Sequence, residues 1–231
     1  MLKLLIFIAI CVQILAIPSD IERCKLNDEK CLIKSANKVL KKYYEGNADL
    51  KLRSFDPMLI DYVNFVQDAG IVTVRGSANN SYASGLSKGK IEKIEGFDKN
   101  SMIVKFKTPK LNVNGSYKSI AKVVNVPING DGKYKVTFND FDVTLKSNLT
   151  RINRNGKEYF QIISTKMSFT ASGGEINISD LGYLINLFLN ASFDIIKNGL
   201  SSVISKAWSE HFEKVINEVL ESNSIDELFL I

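Results

Sequence analysis

The chain has 231 residues, 30 of them basic and 25 acidic, with 45% hydrophobic side chains and a mean hydropathy near zero. A net charge of +5 over that length, with no dense basic cluster, argues against nucleic-acid binding. The apolar fraction is enough for a full core in one domain or two closely joined halves.

Residues 1–16 carry Lys3 and then an apolar run ending in Ala16. This reads as a secretory signal, too short and wrongly flanked for a membrane span, with cleavage expected after Ala16. Residues 17–231 then form one expected domain, released outside the cell or into a secretory lumen. Cys11 leaves with the signal, so Cys24 and Cys31 remain, an even pair that suggests one disulfide in a secreted chain. On one continuous helix their Cα atoms would stand about 10 Å apart, beyond disulfide reach. Cys24 is therefore expected before a helix, folded back onto Cys31 in its first turn, with two unpaired thiols as the alternative. Asn79, Asn114, Asn148, Asn177 and Asn190 head sequons and are candidate N-glycosylation sites, of which two or three are expected to be used.

Asn27 or Asp28 can cap a helix running to about Tyr44, with Leu32, Ile33, Ala36, Val39, Leu40 and Tyr43 on its buried face and Gly46 past its end. Asp56-Pro57 restarts the chain, and residues 58–66 fit a short helix or a strand. Over residues 71–170 the period becomes two, as in Met102, Val104 and Phe106, in Tyr134, Val136 and Phe138, and in Thr165, Met167 and Phe169. That alternation predicts half-buried antiparallel strands. Asn155-Gly156 and Asp131-Gly132 predict two-residue hairpins, and Asn114-Gly115 and Gly173-Gly174 punctuate further. Asn139-Asp140 interrupts the alternation as a bulge or bend would.

Residues 179–221 read as helix, with Ser179 and Asp180 as candidate N-caps and no proline after Pro127. From Phe193 through Ile196, Leu200, Ile204, Trp208 and Phe212 the apolar positions recur at three- and four-residue steps, giving a one-faced helix. Between Leu181 and Phe193 nine of thirteen residues are apolar, so that half is expected to be covered on several sides. Unbroken, the helix would be about 60 Å long, against about 45 Å for a sphere of the remaining chain. Either it breaks, near Asn190 or Gly199, or the molecule is elongated along it; elongation is the expectation. A sheet curling around such a helix leaves an apolar seam that is a core if filled and a tunnel if not.

Several segments in order resemble the insect takeout and juvenile-hormone-binding protein family. They are Cys24 with Cys31, Asp56-Pro57, Gly85-Leu86-Ser87, Gly115-Ser116-Tyr117, Val126-Pro127-Ile128-Asn129-Gly130-Asp131-Gly132 and Ile225-Asp226-Glu227-Leu228-Phe229. The resemblance implies an elongated α+β fold of the tubular lipid-binding (TULIP-like) kind, a long C-terminal helix wrapped by a highly curved antiparallel sheet. It also implies a hydrophobic tunnel for a small lipophilic ligand, juvenile-hormone-like, isoprenoid or fatty-acyl. Juvenile-hormone carriers of the haemolymph look as though they need a second, C-terminal disulfide. This chain has no cysteine after Cys31 and so looks more like the takeout branch.

The expected tunnel wall comprises Val104, Phe106, Tyr117, Val136, Phe138, Leu184, Phe188, Phe193, Ile196, Leu200, Ile204 and Trp208. Tyr117, Tyr134 and Tyr183 are candidates to meet a ligand's polar head. A filled seam would instead make the chain a secreted interaction protein binding a receptor or membrane surface. Gly85-Leu86-Ser87-Lys88-Gly89 matches the G-x-S-x-G elbow of serine esterases, with His211 as the histidine that a triad would need. The elbow, however, requires a strand-to-helix turn in a parallel sheet, whereas strand follows here and His211 reads as solvated. Asn139-Asp140-Phe141-Asp142 lacks the spaced oxygen ligands of a calcium loop, so no metal and no cofactor is expected. The chain is read as a non-enzymatic, monomeric carrier.

Overall fold

The computed structural model describes residues 17–68 and 70–231, and the expected signal lies outside them. Cys24–Lys25 (β1) and the helix Glu29–Lys42 (α1) precede the strands Met58–Gln67 (β2), Val72–Ser84 (β3), Lys90–Glu95 (β4), Ser101–Val123 (β5), Val126–Pro127 (β6), Gly130–Arg154 (β7), Lys157–Thr170 (β8) and Gly173–Ile178 (β9). Helices Tyr183–Ala191 (α2), Phe193–Gly199 (α3), Ser201–Ser222 (α4) and Ile225–Leu228 (α5) follow, and Phe229–Leu230 (β10) closes the chain. Residues 58–66, open between helix and strand in the sequence, are strand: β2 pairs with β3 from Met58 opposite Ala83 to Gln67 opposite Val74.

β5 and β7 form the spine of an antiparallel, curled sheet and pair from Ser101 opposite Asn148 to Ser119 opposite Gly130. In one half β3 and β2 extend the sheet beyond β5, while β9 joins β7. In the other half β4 joins β5 and β8 joins β7. Between the halves the buried face changes parity in both spine strands. It passes from Met102 and Thr108 to Leu111, Val113 and Tyr117 on β5, and from Phe138 to Phe141, Val143 and Leu145 on β7. With a side-chain period of two, a slip of one residue exchanges the faces. The change falls at Asn139-Asp140, where Asp140 has φ +47°, so the interruption in the sequence is a real bend.

Asn155-Gly156 makes the expected tight hairpin, both residues at positive φ. Asp131-Gly132 does not turn; both residues lie inside β7. The reversal is made instead by Val124-Asn125, at φ +46° and +69°. Gly132 serves close approach: a Cβ there would lie 2.6 Å from the Asp180 carboxylate.

The C-terminal rod is not one straight helix. It starts at Tyr183, because Ser179 Oγ accepts from the Lys133 N–H (3.0 Å) and Asp180 accepts from the Asp131 N–H (3.1 Å), so both expected caps belong to the sheet. It then bends at Ser192 (φ −102°, ψ 13°) and Leu200 (φ −100°, ψ 1°). Backbone bonds cross both bends, Ile196 N–H to Ser192 C=O at 3.0 Å and Ile204 N–H to Leu200 C=O at 2.9 Å. The rod is therefore kinked at two points, next to Asn190 and Gly199, where a break is the alternative to one continuous helix. β5 and β7, 23 and 25 residues long, carry the long dimension.

The Cys24–Cys31 disulfide forms as expected, Cys24 in β1 and Cys31 in the first turn of α1, whose N-cap Asp28 accepts from the Cys31 N–H. β1 pairs in parallel with β10, so the start and end of the described chain share one seam. Beneath it Leu32, Phe97, Phe160, Ile162, Leu220 and Phe229 form a packed core.

Candidate functional site

The seam between sheet and rod is filled at the disulfide end and hollow at the other. The hollow half holds a cavity of about 290 Å³. Ile60, Val63 and Phe65 of β2, Val72, Val74 and Ala78 of β3 and Val113, Ala121 and Val123 of β5 form one side. Val136 and Phe138 of β7 and Ile176 and Ile178 of β9 continue it, and Leu189, Phe193, Ile196, Leu200, Ile204 and Trp208 of the rod face them. Phe141, 2% exposed, packs behind Phe138 and Trp208 (ring centroids 5.5 and 6.4 Å) and closes the floor at the bend. The conduit expected along the whole rod thus occupies one half of it.

Eight of the expected wall residues line this cavity: Tyr117, Val136, Phe138, Phe193, Ile196, Leu200, Ile204 and Trp208. Four do not. Val104 lies past the bend, packed between the two cores, and Phe106 lies over Gly89, where a Cβ would touch its ring. Phe188 packs into the main core without reaching the cavity, and Leu184 is 75% exposed. Tyr183, 78% exposed, cannot meet a buried head group either. The walls from β2, β3 and β9 are absent from the expected set: residues 58–66 fit helix or strand equally, the alternation over 72–84 gives no sign of which half is hollow, and Ile176 and Ile178 lie beyond the expected strands.

Polar atoms are few. Lys197 lends its stem to the wall, but its ammonium donates to Asp194 (2.7 Å) and to the Ala171 C=O (3.0 Å). Tyr117 Oη donates to Asp180 (2.8 Å); burial first, and the Asp180 carboxylate second, push its phenol well above the ordinary range. Tyr134 Oη donates to Ser81 Oγ (2.7 Å), and burial raises its phenol too. Ser119 and the indole of Trp208 are the remaining polar groups of the lining.

The esterase elements are not joined. Ser87 Oγ donates to Asp56, whose carboxylate also accepts from the Ser87 and Gly85 N–H groups (2.8 and 2.9 Å), and β4 rather than a helix follows the turn. His211 is half-buried rather than solvated, and its Nε2 has no hydrogen-bond partner among the described residues. Asp140 accepts from Ser172 Oγ and Asp142 pairs with Lys107, so the carboxylates flanking the buried Phe141 are engaged apart. Of the sequon asparagines, Asn114, Asn148 and Asn177 are exposed and Asn79 is half-buried. Asn190 spends its Nδ2, the atom that would carry a glycan, on the Ile176 and Asn186 carbonyls (both 2.7 Å).

The haemolymph juvenile hormone binding protein family matches residues 4–230. The chain belongs to that family. Its members are in general binders of small lipophilic molecules. Among curated relatives, the circadian clock-controlled protein daywake of Drosophila melanogaster is 20% identical over 229 residues, covering 92% of this chain and 88% of that protein. The daywake protein of Drosophila yakuba is 20% identical over 243 residues with the same coverage. The crystal structure of Takeout 1 from Epiphyas postvittana shares the fold, with a TM-score of 0.79 at 18% identity, covering 91% of this chain and all of that one.

Proposed function

We propose that the protein is a secreted, non-enzymatic carrier holding one small lipophilic molecule between the kinked rod and the curled sheet. The observation that carries this is the apolar cavity of about 290 Å³, near the lower bound of roughly 300–1,000 Å³ for small-molecule sites. A seam filled throughout would have supported the interaction-protein reading. The family match supports the ligand class, and the disulfide supports an oxidising compartment, as does the signal-like start of the chain.

A ligand burying about fifteen carbons gains roughly 12 kcal/mol gross. Association costs of about 4–6 kcal/mol leave roughly 6–8 kcal/mol, a site of micromolar to tens-of-micromolar affinity. Organic extraction of protein purified from secreting cells, followed by mass spectrometry, is expected to release a stoichiometric apolar compound. A ligand-free protein that also ignores fluorescent lipid probes would overturn the proposal.

A further inference from the structure

Resting on the carrier reading, we infer that Ser81 and Tyr134 form a polar anchor for an uncharged acceptor oxygen, selecting neutral ligands such as esters, ketones and alcohols over carboxylates. The chain departs from regular strand geometry to build this pair. Along β3 the inward positions run Val72, Val74 and Ala78, and continued alternation would turn Asn80 inward and Ser81 outward. Instead the pairing of β3 with β5 shifts register between Asn79 and Tyr82, and Asn80 sits at φ +47°. A bulge adds one residue and re-aims the side chains that follow. Ser81 consequently lines the cavity at 1% exposure, and Ala83 is fully buried after it.

The opposing strand accommodates the bulge. Gly115 faces it, and a Cβ there would stand 2.9 Å from Ser81 Oγ and 3.0 Å from Ser81 Cα. From β7, Tyr134 reaches across and donates its hydroxyl to Ser81 Oγ at 2.7 Å.

The proton count then decides the ligand. The Tyr134 proton is used on Ser81, while the Ser81 proton has no acceptor among the described residues. A buried hydroxyl with an idle donor, already polarised by a phenol, offers a hydrogen bond to an acceptor oxygen entering the cavity. A carboxylate could accept the same bond but would bring an uncompensated charge into an apolar space. The one ammonium on the wall, Lys197, is already committed to Asp194 and the Ala171 carbonyl, and Tyr117 to Asp180.

The test is displacement of N-phenyl-1-naphthylamine, a neutral fluorescent probe without an acceptor oxygen, by methyl dodecanoate and by dodecanoate at pH 8. It uses the unmutated chain, Ser81→Ala and Tyr134→Phe. The ester is expected to displace the probe from the unmutated protein at concentrations at least about tenfold below the carboxylate. Ser81→Ala should weaken ester binding about tenfold relative to the probe's own affinity for that variant, the worth of one net hydrogen bond. Tyr134→Phe should weaken the ester severalfold and supplies the same readout if Ser81→Ala does not fold. Probe binding with equal potency of ester and carboxylate, or an ester affinity that both variants leave unchanged, overturns the anchor alone. Failure of the unmutated chain to bind the probe overturns the carrier reading and the anchor with it.

Discussion

Asn217 of α4 grips Ile162 of β8 with both ends of its amide: Oδ1 accepts from the Ile162 N–H at 2.8 Å and Nδ2 donates to the Ile162 C=O at 3.1 Å. The side chain stands where the peptide of another strand would pair. Asn37 treats Ile91 of β4 in the same way, and Asn186 and Asn190 treat Ile178 and Ile176 of β9. β4, β8 and β9 are bordering strands, whose free N–H and C=O groups would otherwise invite pairing with another chain. Asn217→Ala strands both groups of Ile162, at about 1–3 kcal/mol for each unsatisfied buried group. Urea denaturation should show a loss of about 2–4 kcal/mol, whereas Asn198→Ala, at an exposed position, should stay within about 0.5 kcal/mol.

His211 gives the fold a pH dependence in a definite window. Burial, with Lys214 beside it, lowers its value from the ordinary 6.5; Arg53 acts in the same sense, while Asp61 of β2 and Glu218 oppose. The unfolded chain therefore takes up the proton first as pH falls. The contribution to stability is whole above 6.5 and is lost as pH drops through that value toward the folded one. Melting temperature should be level from pH 8 to about 7 and fall below 6.5, and His211→Gln should flatten that fall. Asp20, held down to about 2 chiefly by Lys42, and Glu227, held down to about 2 chiefly by Lys157, act at lower pH. Their contributions are present above the ordinary 3.8 and 4.5 and disappear toward pH 2, so the two windows separate in a pH scan.

Much of this architecture was legible in the residues. Period-two alternation located β5, β7 and β8, Asn155-Gly156 located their hairpin, and the reach of a disulfide placed Cys24 ahead of α1. The resemblance added the curl and the cavity. The bends at Ser192 and Leu200 fall beside Asn190 and Gly199, the two weak helix formers at which the sequence allows a break, while the grip of Asn190 on Ile176 ties the first bend to β9. Leu184 lies in a stretch apolar on all sides, so no periodicity could tell its exposed face. Val104 and Phe106 alternate correctly yet lie past the bend, because alternation gives the face of a strand and not which half is hollow. The Asn79-Asn80-Ser81 bulge did carry a clue, in an asparagine suited to positive φ, which the pattern of surrounding apolar residues obscured.

Ser87 is a turn residue, and its variants should behave accordingly. Its hydroxyl and N–H, with the Gly85 N–H, all point at Asp56. Ser87→Ala is expected to lower stability by about 0.5–1.5 kcal/mol, the net worth of one hydrogen bond. Asp56→Ala should cost more, since it releases two N–H groups and a hydroxyl together. Neither change should alter the hydrolysis of p-nitrophenyl acetate from the background rate; measurable cleavage that vanishes in Ser87→Ala would restore the esterase reading.

The disulfide closes a small ring but secures a long-range seam. In the chain-entropy model, joining residues seven apart contributes about 2–3 kcal/mol. Arg23, next to Cys24, donates to the Phe229 C=O at 2.5 Å and to the Asp226 C=O, and β1 pairs with β10. Paired Cys24→Ser and Cys31→Ser substitutions should therefore lower stability by at least that amount. Hydrogen exchange should reveal early opening of residues 224–231. The cavity lies at the far end of the molecule, so binding of a lipophilic probe below the new melting temperature should be retained.

Ile196 is the position at which occupancy of the cavity can be separated from folding. It is 8% exposed on the short helix α3, lines the cavity and touches the core at the same time. Overpacking a filled core costs about 1–3 kcal/mol because neighbours must leave their rotamers. Beside an unfilled space the indole of Ile196→Trp can extend into it, so the melting temperature should shift by only a few degrees. A cavity of about 290 Å³ would then lose a large share of its volume, and affinity for a neutral fluorescent lipid probe should fall tenfold or more. Leu184→Trp, on the exposed face of α2, provides the comparison and should leave affinity unchanged. Binding undiminished in Ile196→Trp would place the ligand elsewhere than between the rod and the sheet.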